Sequence, residues 1–371
     1  MLKTLFVYGG VMLLMFLFAR VASLRVKTNI TMRTCTPFWS WEIVGLIGVF
    51  IVFYGVRYDV GNDHLEYLEA YQTGLGLGRL EPIFSWITVS LKNLDVHFSV
   101  YFALLSFFQI YFILYSIRDE RYLFPFLVLS LFMGQFFWHW MNGIRQDIAA
   151  CIYVFAVQFI VDRKPWKFLL FIAIAMGFHK SSVLLLVTYP ILCNGKDLTM
   201  NRFWQLVLLL SVGFLTIIHF DVLGRFLPVI SVFTELLEFG QYSESMLQKF
   251  GEITTTGPGL YVFMLLDALI IWESVKMKAF YNTKRFTIYY NLYYWGMIFQ
   301  LFLMNNMVLA RPVRFFRCFK LLMIAYFLYY LYKHAWPRSN VLLFVVSMGL
   351  LVILFGAIVI GQPYYFFWDK I

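Results

Sequence analysis

Apolar runs of near-crossing length follow one another along this chain almost without pause. A helix needs about 20 predominantly apolar residues to cross a bilayer. Such runs lie near 3–19, 38–56, 98–117, 122–140, 144–161, 166–178, 182–193, 203–220, 259–276, 286–304, 314–332 and 340–360, the sixth and seventh unusually short. Lipid offers no hydrogen-bond partners, so each segment must satisfy its own backbone, which a helix does and an isolated strand does not. The pattern predicts an all-α polytopic membrane protein of about 12 transmembrane helices, with residues 1–371 as a single integral membrane domain. Two longer polar stretches, 57–97 and 221–258, interrupt the runs, and no soluble domain, low-complexity tract or 20-to-50-residue repeat is present.

With 61% hydrophobic and 13% charged residues, the formal charge of +10 reads as basic cytoplasmic loops meeting anionic lipid headgroups, not as a nucleic-acid surface. The four cysteines, Cys35, Cys151, Cys193 and Cys318, have neither metal spacing nor a pairing pattern. Three lie in or beside apolar runs, where a thiol acts as a small hydrophobe. The opening run "LFVYGGVMLLMFLFA" resembles a signal sequence. It lacks an A-x-A-like exit and is followed by Arg20, Arg25, Lys27 and Arg33, so it is expected to remain as the first helix.

Lys and Arg concentrate in cytoplasmic connections. Placing 20–37 inside assigns most of the chain's Lys and Arg, and few of its Asp and Glu, to the cytoplasmic side, and puts 57–97 and 221–258 outside. The layout pivots on "WKFLLFIAIAMGFHKSSVLLLVTYPIL". As one tilted helix this stretch would be about 40 Å long and would reverse everything after it. It would also leave His179 and Lys180 near mid-bilayer, where a charge costs at least about 2.5–3.5 kcal/mol. Two short helices meeting at "FHKSS" are expected instead, with that pair at the outer face.

On this layout "ARPVRFFRCFK" (310–320) gathers Arg311, Arg314 and Arg317 on the outer side, against the usual bias. At i, i+3 and i+6 the three span about 120° of a helix surface and can point one way, with Pro312 suited to a first helical turn. Two readings fit: a basic collar snorkelling to lipid phosphates, or an anion site at the top of the bundle.

The most distinctive run is "YGVRYDVGNDHLEYLEAY" (54–71), directly after the second apolar segment. It resembles the EpsG family, membrane proteins of bacterial exopolysaccharide and capsule clusters related to the Wzy-type O-antigen polymerases, which commonly carry Arg-x-x-x-Gly-x-Asp-Tyr here. Arg57, Gly61 and Asp63 match, Tyr67 and the Glu81-Pro82 pair follow the family's arrangement, and His64 stands where the family often has tyrosine. "NGIRQDIAACIYVFAVQFI" (142–160) is similar to the family's Arg-Gln-x-x-Ala helix start, and "IAIAMGFHKSSVLLL" (172–186) to its Ala-x-x-Phe-His-x-Ser hairpin. Beyond residue 200 only the layout and an arginine near the start of a late helix agree.

The resemblance implies a GT-C-like bundle in the bacterial inner membrane with its active site facing the periplasm or exterior. It implies a lipid-linked oligosaccharide polymerase, taking undecaprenyl-pyrophosphate-linked donor and acceptor and needing no metal, nucleotide sugar or cofactor. Membrane lipids, and a chain-length regulator where one exists, are the other partners such a protein would meet. A departing pyrophosphate gathers negative charge and needs preorganised cations at headgroup depth, a task for arginine's planar fork. The outward candidates are Arg57, Arg145, Arg311, Arg314, Arg317 and Lys180. The acceptor hydroxyl must lose a proton; Asp63 and His179 lead for that role, followed by His64 and Glu81. Structural readings stand beside these: Arg57 paired with Asp59 or Asp63, Arg145 with Asp147, and His179 as a satisfied ring between helices. The aromatic stretches "FFWHW" (136–140) and "YYFFW" (364–368) are expected at the outer interface, as a belt or as sugar platforms, and "SVFTELLEF" in 221–258 as a cover or a connector.

Other signals carry nothing. "TGLGLGRLEP" (73–82) misses the dinucleotide spacing, His97, His139 and His219 lack metal spacing, no D-x-D occurs, and Asp267 lies in an apolar run with no evident partner. Two other functions compete. A lipid-linked oligosaccharide flippase or exporter would carry a membrane-deep cationic path and matching halves, and the halves here do not match. An O-antigen ligase would need nearly the same residues as a polymerase.

Overall fold

Each of the twelve apolar runs forms helix, α or 3₁₀, over most of its described residues, as expected. The structure is a computed structural model, and it describes residues 2–25, 37–74, 81–218, 257–305, 307–334, 337–361 and 363–369. The helices are α1 (Leu2–Leu24), α2 (Trp41–Gly55), α3 (His64–Thr73), α4 (Pro82–Asn93), α5 (Phe98–Ser116), α6 (Phe124–Met133), α7 (Phe136–Asn142), α8 (Ile144–Val161), α9 (Pro165–Phe178), α10 (Thr188–Leu192), α11 (Arg202–Ile217), α12 (Pro258–Tyr281), α13 (Lys284–Leu303), α14 (Met307–Val313), α15 (Arg317–Lys333) and α16 (Pro337–Ile360). Among the described residues there is no strand, only an isolated bridge between Arg57 and Phe366.

Five helical segments are by themselves long and apolar enough to cross a bilayer: Leu2–Leu24, Phe98–Ser116, Ile144–Val161, Ala310–Lys333 and Ser339–Val359. Arg121–Met133 and Phe136–Asn142, bent by 66°, form a sixth when joined. The remaining expected crossings are α2, α9, Lys180–Leu192 and α11, which are shorter, and α12 and α13, which carry charged or tyrosine-rich sequence. The chain is an all-helical polytopic membrane protein.

Burial sorts the spans into layers. Protein encloses 83% of the Ile144–Val161 window and 78% of the Ala310–Lys333 window, but only 22% of Leu2–Leu24 and of Ser339–Val359, whose Phe6, Leu14, Phe344 and Phe355 point outward. The small residues Ala149, Ala150, Cys151 and Ala156 suit α8 to the centre, because they let neighbouring backbones approach closely. Cys151 and Cys318 meet there with sulfurs 4.0 Å apart, both free thiols in the core.

Polar groups collect at two ends of the bundle. At one, Arg25 pairs with buried Glu42, Arg121 donates to the carbonyls of Pro37 and Phe38, Lys278 pairs with Asp197 at 2.6 Å, and Arg285 lies between Asp119 and Glu120 at 3.7 and 3.6 Å. The other end holds residues 56–63, 134–144, 179–182, 305, 307–317, 361 and 363–369. We refer to these as the Arg285 end and the Arg314 end.

The disputed stretch 166–193 is a hairpin, as expected. α9 rises from the Arg285 end and stops at His179, which is extended (φ −154°, ψ 114°); a 3₁₀ segment, Lys180–Val187, and α10 then return. Phe168 and Tyr189, near the foot of each arm, lie 5.3 Å apart between ring centroids. The C-terminal residues 363–369 cross the loop after α2, where Tyr365 C=O accepts from Tyr58 N–H at 2.9 Å and Val56 C=O accepts from Phe367 N–H at 3.0 Å. This corrects part of the aromatic-interface expectation. Phe137, Trp140 and Tyr364 are core residues, packed by neighbouring helices, and among these stretches Trp368 is the exposed tryptophan.

Candidate functional site

Every wall of the site begins where a helix is interrupted. After α2 the chain turns through Gly61, whose φ is +95° and where a Cβ would meet Asn142 Oδ1 at 2.5 Å, so only glycine fits. Asn142 Oδ1 accepts the Asn62 N–H at 2.8 Å, fixing the turn to the α7–α8 junction. Asp63 follows, half-buried at the start of α3. Burial, and then Glu66, push its carboxyl above the usual carboxylate range, while Arg314, Arg145 and Arg311 pull it back. Cations from two separate helices thus act on one carboxylate.

Two expected site residues in this loop are interior groups instead. Arg57 is fully buried, donating to the carbonyls of Val60 at 3.3 Å and Met141 at 3.1 Å, with Tyr54 and Phe102 against its guanidinium at 5.1 and 5.5 Å. It pins the loop and presents nothing to a ligand. His64 is equally buried, stacked on Phe102 at 4.5 Å, and burial followed by the nearby Arg57 lowers its pKa to about 3. Its ring is neutral and far from any base role.

Arg145, on the first turn of α8, pairs with Glu81 at 2.6 Å and reaches Tyr67 Oη at 3.5 Å. Glu81 also accepts the Lys180 N–H at 3.3 Å. The expected Lys180 cation is corrected accordingly: its backbone N–H serves the site, while its side chain is exposed. Glu81 is occupied by Arg145 and Lys180, which makes it a clamp rather than an available base. His179 shares its Nδ1 with Ser181 Oγ at 2.8 Å and stands edge-on to Phe315 at 5.8 Å, within the field of Glu81, Arg145, Arg311 and Arg314. The hairpin tip and the α8 start therefore meet at the same level.

The 310–320 stretch forms the third wall. Pro312 lies inside α14 rather than in a first turn, and the helix breaks directly after it into a 3₁₀ turn, Arg314–Phe316. At three residues per turn, positions i and i+3 eclipse, so Arg314 and Arg317 line up more closely than an α-helix would bring them. Both, with Lys320, line a cavity of about 570 Å³ between α7, α12, α13 and α15. Arg317 donates to His139 Nδ1 at 3.1 Å. Arg314 Nε is buried without a partner, and among the described residues no hydrogen bond or ion pair reaches its guanidinium. Gln146 of α8 donates to the Arg311 carbonyl, tying this wall to the Arg145 helix. The segment 221–256, with "SVFTELLEF", lies outside the described residues.

The structure adds groups that sequence reading did not place. Asp147 is buried on α8 within Coulombic reach of Arg314 and Arg317, not beside Arg145. Spacing carries this signal, because i and i+2 on a helix face different ways. Asp267 gains two partners, Lys320 at 2.6 Å and Tyr293 at 2.8 Å. Of the expected residues, Asp63, Glu81, His179, Arg145, Arg311, Arg314 and Arg317 come together, and Arg57 and His64 do not. The result is a cavity lined by two aligned guanidinium groups, with the Asp63 carboxylate and the His179 imidazole outside its lining but within Coulombic reach of Arg314. The cations suit a polyanion, and the carboxylate and imidazole are groups able to take a proton.

No curated protein and no solved structure matches the chain. The model of the EpsG family matches residues 41–367, nearly the whole of the helical bundle described above, including the Asp63 loop, the α8 start, the His179 hairpin and the Arg314 wall. The chain belongs to the EpsG family, and is a membrane protein of polysaccharide biosynthesis.

Proposed function

We propose that this protein polymerises oligosaccharide repeat units carried on a lipid diphosphate, undecaprenyl pyrophosphate, at the outer face of the bacterial cytoplasmic membrane. The observation that carries this reading is the turning of Arg314 and Arg317 into a cavity rather than toward lipid, with Asp63 and His179 within Coulombic reach of Arg314. In the reaction the glycosidic C–O bond to the diphosphate breaks as a sugar hydroxyl of the next unit bonds to the same carbon. The hydroxyl proton passes to Asp63 or His179, and the diphosphate leaves with its lipid, its growing charge met by guanidinium groups that need no reorganisation. Arg145, held by Glu81 and Tyr67, orients the rim.

The experiment is complementation of a polymer-deficient producing strain. Arg314→Ala and Asp63→Asn should leave single repeat units on the lipid carrier and no long polymer. A flippase would instead trap those units on the cytoplasmic face, and a ligase would leave polymer length intact. Orientation is tested separately: a membrane-impermeant thiol reagent should label Asn93→Cys, near the Arg314 end, in whole cells, and Lys164→Cys, near the Arg285 end, only after permeabilisation.

A further inference from the structure

Below Arg314 and Arg317 the same helix carries a third cation into the cavity. From 314 to 317 the 3₁₀ rise gives about 6 Å along the axis, and from 317 to 320 the α rise gives about 4.5 Å, so the three charges descend as a ladder. Lys320 differs from the other two in having a carboxylate on it. Its Nζ lies 2.6 Å from Asp267 Oδ2, and the second oxygen of Asp267 accepts from Tyr293 Oη at 2.8 Å. The two partners are held unequally. Asp267, with only 2% of its side chain exposed, is anchored by a neighbouring helix through Tyr293, whereas the Lys320 side chain keeps 17% exposure to the cavity and a flexible four-carbon stem.

An anchored carboxylate and a swinging ammonium make an exchangeable pair. The geometry points to Lys320 as a switched third cation of the diphosphate site, parked on Asp267 while the cavity is empty and turned upward when a diphosphate occupies Arg314 and Arg317. The inference rests on the diphosphate reading above. Three neighbouring cations lining one cavity repel one another, and Asp267 offsets one of them until a ligand brings its own charge. Asp267 is then a built-in competitor of the diphosphate: it lowers affinity for the spent carrier and lets it go. A static ion pair would fix Lys320 permanently, and an arriving ligand would leave the contact between Lys320 and Asp267 unchanged.

The test is the affinity of the detergent-solubilised full chain for inorganic pyrophosphate, by calorimetry. Asp267→Asn should bind at least tenfold tighter than the unmodified protein and Lys320→Met at least tenfold weaker, and the gain from Asp267→Asn should be smaller when Lys320→Met is already present, only the direct repulsion by the carboxylate being left to remove. Unchanged or weaker binding in folded Asp267→Asn overturns the exchange. Should that variant fail to fold, the unmodified protein still decides the question. A hydrophobic carbodiimide joins Asp267 to Lys320 through an amide, detectable by mass spectrometry, and saturating pyrophosphate should cut that yield at least threefold where equal sulfate does not. An unchanged yield overturns the proposal. Arg314→Ala separates the two claims: if it binds pyrophosphate normally, the diphosphate site itself fails, and if it loses binding while Asp267→Asn gains nothing, only the exchange fails.

Discussion

At one end of the bundle Arg285 sits between Asp119 and Glu120, and Tyr326 closes the cluster by donating to Glu120 at 2.7 Å. At the other end Arg314 and Arg317 stand in line over a cavity, with Asp147 opposite and Arg314 Nε unsatisfied. Both clusters draw on the same side chain in similarly enclosed surroundings. In the first, carboxylates from the protein complete the guanidinium; in the second, cations exceed the protein's own anions. Leaving the Arg314 Nε buried and unpaired is costly, and the proposed function gives that imbalance a use, the binding of an anion from outside the chain.

The sharpest way to break this contrast is to truncate both. Arg314→Ala should lower polymer synthesis at least about 100-fold, the scale of losing one preorganised donor to developing charge, with little change in the detergent melting temperature. Arg285→Ala should do the reverse, losing about 3 kcal/mol of stability by stranding two carboxylates while the folded fraction keeps its activity. If both variants melt alike, the distinction is wrong. Next, Arg57→Ala should cost about 2 kcal/mol, because the carbonyls of Val60 and Met141 lose their donor, and the loss should appear in thermal unfolding and not in pyrophosphate affinity of the folded protein. Arg317→Lys should retain charge but lose the planar fork, lowering turnover about tenfold; full rescue would mean a simple lipid collar.

The smallest expected effect is a displaced pH profile. A base works when ionised, so activity should rise with pH through the raised Asp63 pKa. Glu66 is one of the two influences holding that value up, so Glu66→Gln should move the acidic limb to lower pH. Arg311→Gln removes a charge that holds it down and should move the limb to higher pH. Displacement in the opposite sense would remove Asp63 from the base role.

Much of this was readable in the residues. The apolar runs fix the helices because lipid leaves the backbone no alternative, and the cost of a charge at mid-bilayer foretells the break at His179. The arginines of 311–317 were visible as a set, but not the 3₁₀ turn that aligns 314 with 317, which depends on where the Pro312 break is absorbed. Pairings between distant helices were out of reach for a different reason. Nothing local distinguishes Arg57, which turns inward to two carbonyls, from Arg314, which turns into a cavity, and nothing local couples Asp267 to Lys320. Those outcomes are set by which helix faces which.

The His179 hairpin has a consequence for the membrane itself. The fourteen residues of α9 rise only about 21 Å, against a hydrocarbon core of roughly 30 Å, and the hairpin exposes Trp166, Leu170, Leu184 and Val187 on its surface. Local thinning is one way in which lipid meets such a short apolar wall. On the orientation and substrate proposed above, such thinning would make the outer leaflet dip beside the hairpin tip, and a carrier lipid diffusing along that depression would arrive with its phosphates already lowered toward the arginines.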